Sequence, residues 1–315
     1  MSKIAWIGLG HMGIPMSKNM VGAGHAVLGV DIAEPAREAA RRNGVTVVPT
    51  VAEAVRDVDA VFTMLQNGSV VTDVVTGPDG AFAHMPTGAV VIDCSTTGID
   101  TARTLAAEAR QHGVGFVDAP VSGGVEGAAD GSLTLMLGGD IEHVAIAEPL
   151  LKSVGAYIVH VGASGDGQAM KVVNNAMMAV GMAAACEVSV LAQRLKLDPQ
   201  VYFNVVTQSS GDSWVFRNWF PLPGVVGTSP SSHQYEPGFM IDLIHKDLYL
   251  ANATAAEFGV RLETVAAAQK LFATASAMGL GEKDCTGLVL GLDDLDPLPD
   301  FPGFAADGGT RMKPT

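Results

Sequence analysis

A lysine and two asparagines near the middle of the chain have the spacing of an active-site cluster. Lys171, Asn174 and Asn175 open a long, nearly uncharged segment of helical composition. Side chains three and four positions apart lie on one face of a helix, so the amine and the amides would project into the same volume. Because a solvated helix start has the same spacing, the other motifs must decide whether these residues form a site.

A glycine-rich turn near the amino terminus predicts a dinucleotide-binding site. It has the pattern Gly-x-Gly-x-x-Gly and consists of Gly8, Leu9, Gly10, His11, Met12 and Gly13. The first glycine allows a tight turn, the second lets the backbone approach a pyrophosphate, and the third permits close helix packing. The helix that follows would present free N–H groups and a partial positive charge to the phosphates.

An acidic residue after this turn indicates which dinucleotide binds. Asp31 lies 18 positions after Gly13, at the end of the next predicted strand. A carboxylate there accepts hydrogen bonds from the adenosine ribose and repels a 2′-phosphate, and Ile32 offers no guanidinium to offset that repulsion. We therefore predict NAD rather than NADP as the cofactor, the alternative being that Asp31 only ends the strand.

The turn belongs to a regular alternation of short apolar runs with segments of helical composition. The runs are residues 3–7, 26–30, 60–64, 89–92 and 115–117. This alternation predicts an α/β fold with a doubly wound parallel sheet of the Rossmann type. Since ligands bind beyond the carboxyl ends of such strands, Leu65, Gln66 and Thr96 are candidate cofactor contacts, although any strand end carries polar residues.

A glycine-dense segment after the fifth run predicts an anion site. Ser122, Gly123 and Gly124 can turn successive N–H groups inward and, with the Ser122 hydroxyl, form a concave site that suits a small carboxylate. A flexible surface loop is the weaker alternative, because these glycines lie outside a linker setting.

The second half of the chain has the composition of consecutive helices. Its first helix, predicted over residues 168–196, is apolar on most of its circumference, which indicates a long, buried helix between two domains. We expect a dinucleotide-binding domain over residues 1–161 and an all-helical domain over residues 162–292. Residues 293–315 are rich in Pro, Gly and Asp, which predicts an extended tail.

Two adjacent charges interrupt a later apolar helix. Lys246 and Asp247 lie within the stretch 240–251, directly after a loop that ends at Phe239. Neighbours on a helix cannot face each other, so each charge needs a different partner. Lys246 therefore faces either a cleft or the solvent.

Composition restricts the class of protein and its partners. The 315 residues are 48% hydrophobic and 17% charged, and their formal net charge of -14 disfavours binding to nucleic acid and to anionic membranes. Cys94, Cys186 and Cys285 match neither a zinc pattern nor a disulfide framework, so we expect no metal site. The uncharged run 172–186 is shorter than a membrane span and the amino terminus has no targeting pattern, which predicts a soluble cytoplasmic protein.

Four motifs in this order resemble the β-hydroxyacid dehydrogenases across nearly the whole chain. They begin at Gly8, Asp118, Lys171 and Lys246. The resemblance implies that Lys171 is the catalytic residue and that Lys246 lies beside the cofactor, with Phe239 as a further candidate contact. It also implies a set of substrate-binding residues, namely Ser122, Gly123, Gly124 and Asn175.

Within this family, residues 221–239 are most similar to the members that oxidise 3-hydroxyisobutyrate to methylmalonate semialdehyde with NAD in valine catabolism. The resemblance thus implies a small 3-hydroxy carboxylic acid as substrate and a homodimer or homotetramer. Alternatives are reduction of tartronate or succinate semialdehyde, oxidation of a serine-like acid, and a non-catalytic NAD-binding protein. Gln66 departs from the proline usual in the family, and the tail after Leu292 replaces a short ending.

The resemblance also implies a mechanism. The substrate carboxylate would sit on the amides of residues 122–124, and Lys171 would take the proton of the hydroxyl or stabilise its developing charge. Burial would lower the pKa of Lys171 and the acidic charge of the chain would oppose that effect, so the sequence leaves the pKa open.

Overall fold

The computed structural model describes residues 1–292, and the tail predicted over residues 293–315 lies outside them. Strands and helices alternate in the first half, as predicted. The strands are β1 (Lys3–Ile7), β2 (Ala26–Val30), β3 (Thr46–Val47), β4 (Ala60–Thr63), β5 (Val90–Asp93), β6 (Gly115–Asp118), β7 (Val121–Ser122), β8 (Leu133–Gly138) and β9 (Gly155–Gly162). The helices among them are α1 (Gly13–Gly22), α2 (Glu34–Arg42), α3 (Val51–Ala54), α4 (Gly68–Thr76), α5 (Ala81–His84), α6 (Ile99–Gln111), α7 (Gly124–Asp130) and α8 (Ile141–Leu151).

The strands form one sheet, and its larger part confirms the predicted Rossmann-type architecture. The strands β3, β2, β1, β4, β5 and β6 lie side by side and parallel, so their carboxyl ends share one edge. Beyond β6 the sheet differs from the all-parallel expectation, because β8 runs antiparallel to β6 and β9 pairs parallel with β8. The chain reverses at the shared edge through α7, whose seven residues are too few to cross the sheet.

Side chains alternate along β1 and fill a separate core on each face of the sheet. Ile4 and Trp6 pack in one cluster, and Ala5 and Ile7 pack in the other. Trp6 also stacks on Phe62 of β4, with ring centroids 4.9 Å apart. Because both faces are covered, the ends of β1 and β4 are held in fixed positions.

The second half of the described chain is helical, as predicted. Its helices are α9 (Asp166–Arg194), α10 (Pro199–Val206), α11 (Trp214–Asn218), α12 (Ile241–Glu257), α13 (Glu263–Ala275) and α14 (Leu288–Leu292). They share a third core, in which Phe220 packs edge to face on Phe203 and Phe216. Helix α9 contacts β8 of the sheet as well as α12 and α13, so it connects the two halves.

Helix α9 is less buried than its composition indicates. Met182 is fully buried, whereas Met170, Val173 and Met177 are exposed, Met177 by 78%. The prediction of a buried helix is therefore wrong for this outer face. Contrary to the expectation from its uncharged run, α9 has the length and hydropathy of a membrane span, the one such helix within residues 1–292. Half of the apolar window is buried inside the protein, as in core helices of globular proteins.

Candidate active site

The glycine turn joins β1 to α1 and leaves room for a dinucleotide. Gly8 has φ +96°, and a side chain there would clash with the Met64 carbonyl. Gly13 packs on the Gly8 carbonyl oxygen, which also accepts a hydrogen bond from Trp6 Nε1 at 3.0 Å. By contrast, the space around the Cβ position of Gly10 is open. Helix α1 has no side-chain cap, so its first N–H groups suit a pyrophosphate.

Asp31 fastens the glycine turn to the end of β2. Its Oδ2 accepts a hydrogen bond from Leu9 N at 2.7 Å, and its Oδ1 accepts one from Ala33 N at 2.8 Å. Each carboxylate oxygen keeps a further lone pair that a ribose hydroxyl could use. The nearby Arg37 guanidinium donates to Glu34 at 2.7 Å, so an acidic partner already neutralises this cation. The surroundings of Asp31 thus suit NAD better than a 2′-phosphate.

The remaining residues of the predicted cofactor site differ in exposure. Leu9 is fully buried in the sheet core, Met12 directly precedes α1 and is half-buried, and His11 is exposed. Phe239 is half-buried, and its backbone N–H donates to Asp284 Oδ2 at 2.8 Å. Leu9 therefore serves packing, whereas His11 and Met12 remain accessible to a ligand.

Lys246 of α12 reaches from the helical half to the carboxyl ends of β4 and β5. Its Nζ donates to the carbonyl oxygens of Gln66 at 3.3 Å and Thr96 at 3.2 Å. Only 28% of its side chain is exposed, so the structure supports the cleft-facing alternative. Gln66 contributes through its backbone, which explains why a residue other than proline serves at this position. Leu65 packs beneath the same edge, against Gly8.

Lys171 lies on α9 with only 7% of its surface exposed. Burial lowers its pKa to about 8, because the charged ammonium loses its hydration. The negative charge of Asp247 partly opposes this shift, and the positive charge of Lys246 adds to it. Burial therefore decides the balance that the sequence leaves open, and it brings the amine close to the pKa that proton transfer requires near neutral pH.

Asn175 and Asp247 form a buried pair next to Lys171. Asn175 Nδ2 donates to Asp247 Oδ2 at 2.6 Å, and Asn174 Nδ2 donates to Asn175 Oδ1 at 3.2 Å. Asp247 is 4% exposed, and its Oδ1 has no hydrogen-bond partner. Lys246 Nζ lies 3.4 Å from this oxygen and forms an ion pair with it, so the expectation that these neighbours cannot meet is wrong: the long lysine side chain bends back to its neighbour. The sequence pattern shows that Asp247 needs a partner, yet it does not place this residue in the site. The buried carboxylate holds the Asn175 amide in one orientation.

A cleft of about 820 Å³ opens beside the glycine turn. Its lining includes His11, Gly123, Gly124 and Trp219. The segment predicted as a loop is partly helical, because α7 begins at Gly124, and Ser122 is half-buried at the end of β7 just before it. A Cβ on Gly124 would lie 3.5 Å from the Trp219 ring, so the indole forms a wall over the Ser-Gly-Gly segment.

Trp219 is a cleft residue that the sequence does not single out. It packs edge to face on Trp214, with ring centroids 5.1 Å apart. The only signal in the sequence is the aromatic composition of the segment around α11, which equally suits a hydrophobic core. Its position over Gly124 required the fold.

The cysteines and acidic residues supply no sign of a metal centre. Among residues 1–292, no three His, Cys, Asp or Glu side chains are placed to hold a metal ion. Cys94, Cys186 and Cys285 are buried free thiols, and burial raises the pKa of each. Thiolate chemistry is therefore disfavoured at all three.

Comparison with known families covers both halves of the chain. Residues 3–162 match the family described as the NAD binding domain of 6-phosphogluconate dehydrogenase. Residues 165–291 match the family described as NAD-binding of NADP-dependent 3-hydroxyisobutyrate dehydrogenase. The glycine turn and its surroundings therefore belong to a chain that binds NAD(P).

Individual relatives agree with these families. A probable 3-hydroxyisobutyrate dehydrogenase of Mycobacterium tuberculosis is 44% identical over 259 residues, which are 82% of this chain and 87% of the relative. An NAD-dependent L-serine dehydrogenase of Pseudomonas aeruginosa is 37% identical over 284 residues, 90% of this chain and 95% of the relative. A solved structure of the Mycobacterium tuberculosis 3-hydroxyisobutyrate dehydrogenase with L-serine has a TM-score of 0.84 at 40% identity and covers 93% of this chain and 99% of its own. On fold, motifs and relatives together, the chain belongs to the NAD-dependent β-hydroxyacid dehydrogenases.

Proposed function

We propose that the protein oxidises 3-hydroxyisobutyrate to methylmalonate semialdehyde with NAD, as a step of valine catabolism, and that Lys171 is its general acid and base. One observation carries the proposal: the buried amine of Lys171 has a pKa of about 8 and lies beside the Asn175–Asp247 pair. The similarity to 3-hydroxyisobutyrate dehydrogenases supports the choice of substrate.

The substrate carboxylate binds at the start of α7. The N–H groups of Ser122, Gly123 and Gly124 and the Ser122 hydroxyl are the donors that a carboxylate requires. Gly123 has φ +136° and Gly124 has φ +66°, a backbone conformation that side chains disfavour and that occurs in anion-binding turns. Trp219 lies against Gly124 and forms one wall of this proposed carboxylate site.

Lys171 moves the proton of the substrate hydroxyl. A bound nicotinamide supplies the acceptor for the hydride that leaves C3. As the hydride leaves, the neutral amine of Lys171 accepts the hydroxyl proton, so an aldehyde and an ammonium result. With a pKa of about 8, roughly one lysine in ten is neutral at pH 7. The Asn175 amide, fixed by Asp247, keeps one N–H with which to orient the substrate oxygen.

The surroundings of Asp31 support a preference for NAD over NADP. Its carboxylate would repel a 2′-phosphate, and the Arg37 guanidinium is committed to Glu34. We expect kcat/KM with NAD to exceed that with NADP by at least about tenfold, which corresponds to about 1.4 kcal/mol of discrimination. Equal use of NADP in steady-state assays would refute this preference.

A second candidate substrate is L-serine. The Pseudomonas aeruginosa relative is an L-serine dehydrogenase, and the Mycobacterium tuberculosis enzyme has been solved with L-serine. The cleft beside Gly124 is also lined by the carboxylates of Glu126 and Glu236, which would suit the ammonium group of an amino acid. Serine shares the carboxylate and the C3 hydroxyl of 3-hydroxyisobutyrate, so the same Lys171 chemistry applies.

A panel of hydroxy acids tests the proposal. Initial rates are measured with 3-hydroxyisobutyrate, L-serine, glycerate and 4-hydroxybutyrate, each with NAD and with NADP, for the wild type and for Lys171→Ala. The highest kcat/KM for 3-hydroxyisobutyrate with NAD supports the proposal, and a higher value for L-serine replaces it with the second candidate. Glycerate is the product of tartronate semialdehyde reduction, and 4-hydroxybutyrate is the product of succinate semialdehyde reduction. Their oxidation therefore tests these two alternatives. Calorimetric binding of NAD without turnover of any acid would indicate a non-catalytic protein.

The exposed face of α9 supports a homodimer or homotetramer. Met170, Val173 and Met177 form an apolar row on its outer side. Light scattering on the purified protein measures the mass directly. A monomer at micromolar concentration would contradict this part of the proposal.

A further inference from the structure

Helix α9, which carries Lys171, begins without a cap of its own. Its N-cap residue is Gly165, with φ +92°, and no side chain of the helix binds the first-turn N–H groups. Such groups need acceptors, because nothing inside the helix satisfies them. The acceptor comes from another element of the fold.

The carboxylate of Asp118, at the end of β6, takes this place. Its Oδ1 accepts a hydrogen bond from Gly165 N at 2.8 Å, and its Oδ2 accepts one from Gln168 N at 2.9 Å. The side chain is fully buried. A negative charge at the amino end of a helix is also favoured by the helix dipole. Asp118 thus caps α9 from the sheet, 47 residues earlier in the chain.

Two glycines make the slot in which this carboxylate lies. A Cβ on Gly138 of β8 would lie 2.7 Å from both carboxylate oxygens of Asp118. A Cβ on Gly167 of α9 would lie 2.8 Å from Oδ2. Since contacts this short would force the carboxylate to move, both glycines are needed for the cap to form.

The side chain of Gln168 attaches the first turn of α9 to the segment that follows β5. Its Nε2 donates to the Ser95 carbonyl at 2.8 Å, and its Oε1 accepts a hydrogen bond from Thr97 N at 3.1 Å. The first turn of α9 is therefore fixed to the ends of both β5 and β6. Lys171 follows Gln168 by three residues, so its position depends on this attachment.

Asp118 is also the residue from which the substrate segment departs. The chain runs from Asp118 through three residues to Ser122, and then to Gly123 and Gly124. The main chain of Asp118 thus leads to the proposed carboxylate site, while its side chain holds the helix of the proposed base. One residue connects the two groups that must face the same substrate.

We propose that Asp118 is a positioning residue, whose carboxylate sets the place of Lys171 relative to the Ser122–Gly124 segment. This assignment rests on the proposed function of that site. Burial raises the pKa of Asp118 to about 6, although its two N–H donors oppose the shift. At pH 7.5 the group is therefore mostly ionised and can accept both hydrogen bonds.

The test compares Asp118→Asn with Asp198→Ala. Asp198 is exposed and is the N-cap residue of α10, with Val201 N donating to its Oδ1 at 2.9 Å, and it does not line the cleft beside the glycine turn. Both variants are expected to lower the melting temperature by a few degrees. Only Asp118→Asn is expected to lower kcat, by about 10–100-fold, with the Kd for NAD within about twofold of wild type by calorimetry. Asp118→Asn that folds and keeps kcat within about twofold overturns the proposal.

The pKa of Lys171 gives a readout that simple destabilisation would not move. A displaced amine is less buried, so its pKa is expected to rise from about 8 toward its ordinary value of 10.5 in Asp118→Asn, while Asp247 and Lys246, which face it from α12, are unchanged. Competitive acetylation with peptide mass spectrometry measures this pKa without turnover. If the wild type oxidises no acid, the proposed function fails, and the labelling still decides the role of Asp118. If the pKa of Lys171 is unchanged in Asp118→Asn, the positioning role of Asp118 is overturned.

Gly138→Ala is the second test variant and is used if Asp118→Asn does not fold. This variant keeps the carboxylate, but the added methyl group would lie 2.7 Å from both oxygens and from Gly167 N, so it forces the carboxylate and the first turn of α9 apart. We expect the same loss of kcat and the same rise in the pKa of Lys171. If neither variant folds, the carboxylate is a folding requirement, and its assignment as a positioning residue is wrong.

Discussion

The glycine turn and helix α9 take part in the proposed function by opposite means. At the turn, Gly8 and Gly13 serve by having no side chain, so that backbone can approach backbone and Gly10 faces open space. On α9, Lys171 and Asn175 serve through side chains that are almost completely buried. The turn is therefore sensitive to added atoms, whereas the helix is sensitive to changed charge. An added methyl group therefore tests the turn, and the removal of a charge tests the helix.

The largest expected effect comes from removing the buried amine. Lys171→Met should lower kcat by about 10²–10⁴-fold, the usual contribution of a general acid or base, with little change in NAD binding. It should also raise the free energy of unfolding at pH 7 by up to about 3 kcal/mol, because the pKa of the native lysine is lowered from 10.5 to about 8. Kinetic assays and urea denaturation measure the two effects.

The gain in stability has a defined pH dependence. Below pH 8 the lysine is charged in both states, and its burial lowers the free energy of unfolding by the full amount. Between pH 8 and 10.5 the native lysine is neutral, while the lysine of the unfolded chain is still charged. Wild-type stability therefore rises with pH across this window, and the advantage of Lys171→Met shrinks. The same substitution at the exposed Lys18 of α1 serves as the control. Near-native kcat in folded Lys171→Met would remove the lysine from the mechanism.

An added methyl group at the turn should give the next largest effect. Gly10→Ala is expected to weaken NAD binding by about 10–100-fold, because the methyl group would occupy space needed by the pyrophosphate at a cost of about 1–3 kcal/mol. The fold should be unaffected, since no atom lies within 4 Å of the new Cβ. Gly22→Ala, at the other end of α1, has equally open surroundings and should bind NAD as wild type does. Calorimetry measures both affinities, and unimpaired binding by Gly10→Ala would place the pyrophosphate elsewhere.

The smallest effect is expected from neutralising Asp247. Its charge raises the pKa of Lys171, so in Asp247→Asn that pKa should fall further, and the pH–rate profile for oxidation should move to lower pH. The amide keeps an acceptor for Asn175, so kcat should fall by only about tenfold. Asp242→Asn, which neutralises an exposed carboxylate on the same helix, should leave the profile in place. A shift in the opposite direction would show that Asp247 does not act on the lysine.

The two regions also differ in how far the sequence predicts them. The glycine turn and Asp31 lie within one strand–helix–strand unit, so their spacing along the chain fixes their spacing in space. The parallel strands and the long α9 follow for the same reason, since their patterns are local. By contrast, α7 turns the chain back and makes β8 antiparallel, and no local pattern distinguishes that reversal from a loop.

The chemistry of the lysine region depends on contacts between distant residues. Asn175 and Asp247 are 72 positions apart, and Asp118 caps a helix whose N-cap residue, Gly165, lies 47 positions later. The pKa of Lys171 is a balance of burial against two opposite charges on α12, which composition leaves undetermined. Sequence motifs therefore identify the lysine, and only the fold shows what sets its proton affinity.

Of the three tryptophans of the chain, one lies at the glycine turn and the other two pack on each other near Gly124. Trp6 lies under the glycine turn and bonds the Gly8 carbonyl, while Trp219 covers Gly124 and packs on Trp214. Indole emission is sensitive to its immediate surroundings, so the molecule has an intrinsic fluorophore next to each proposed ligand site. Replacement of Trp6 or Trp219 by phenylalanine, one at a time, separates the optical signal of the nucleotide from that of the acid. The order in which the two ligands arrive can thus be followed without a label.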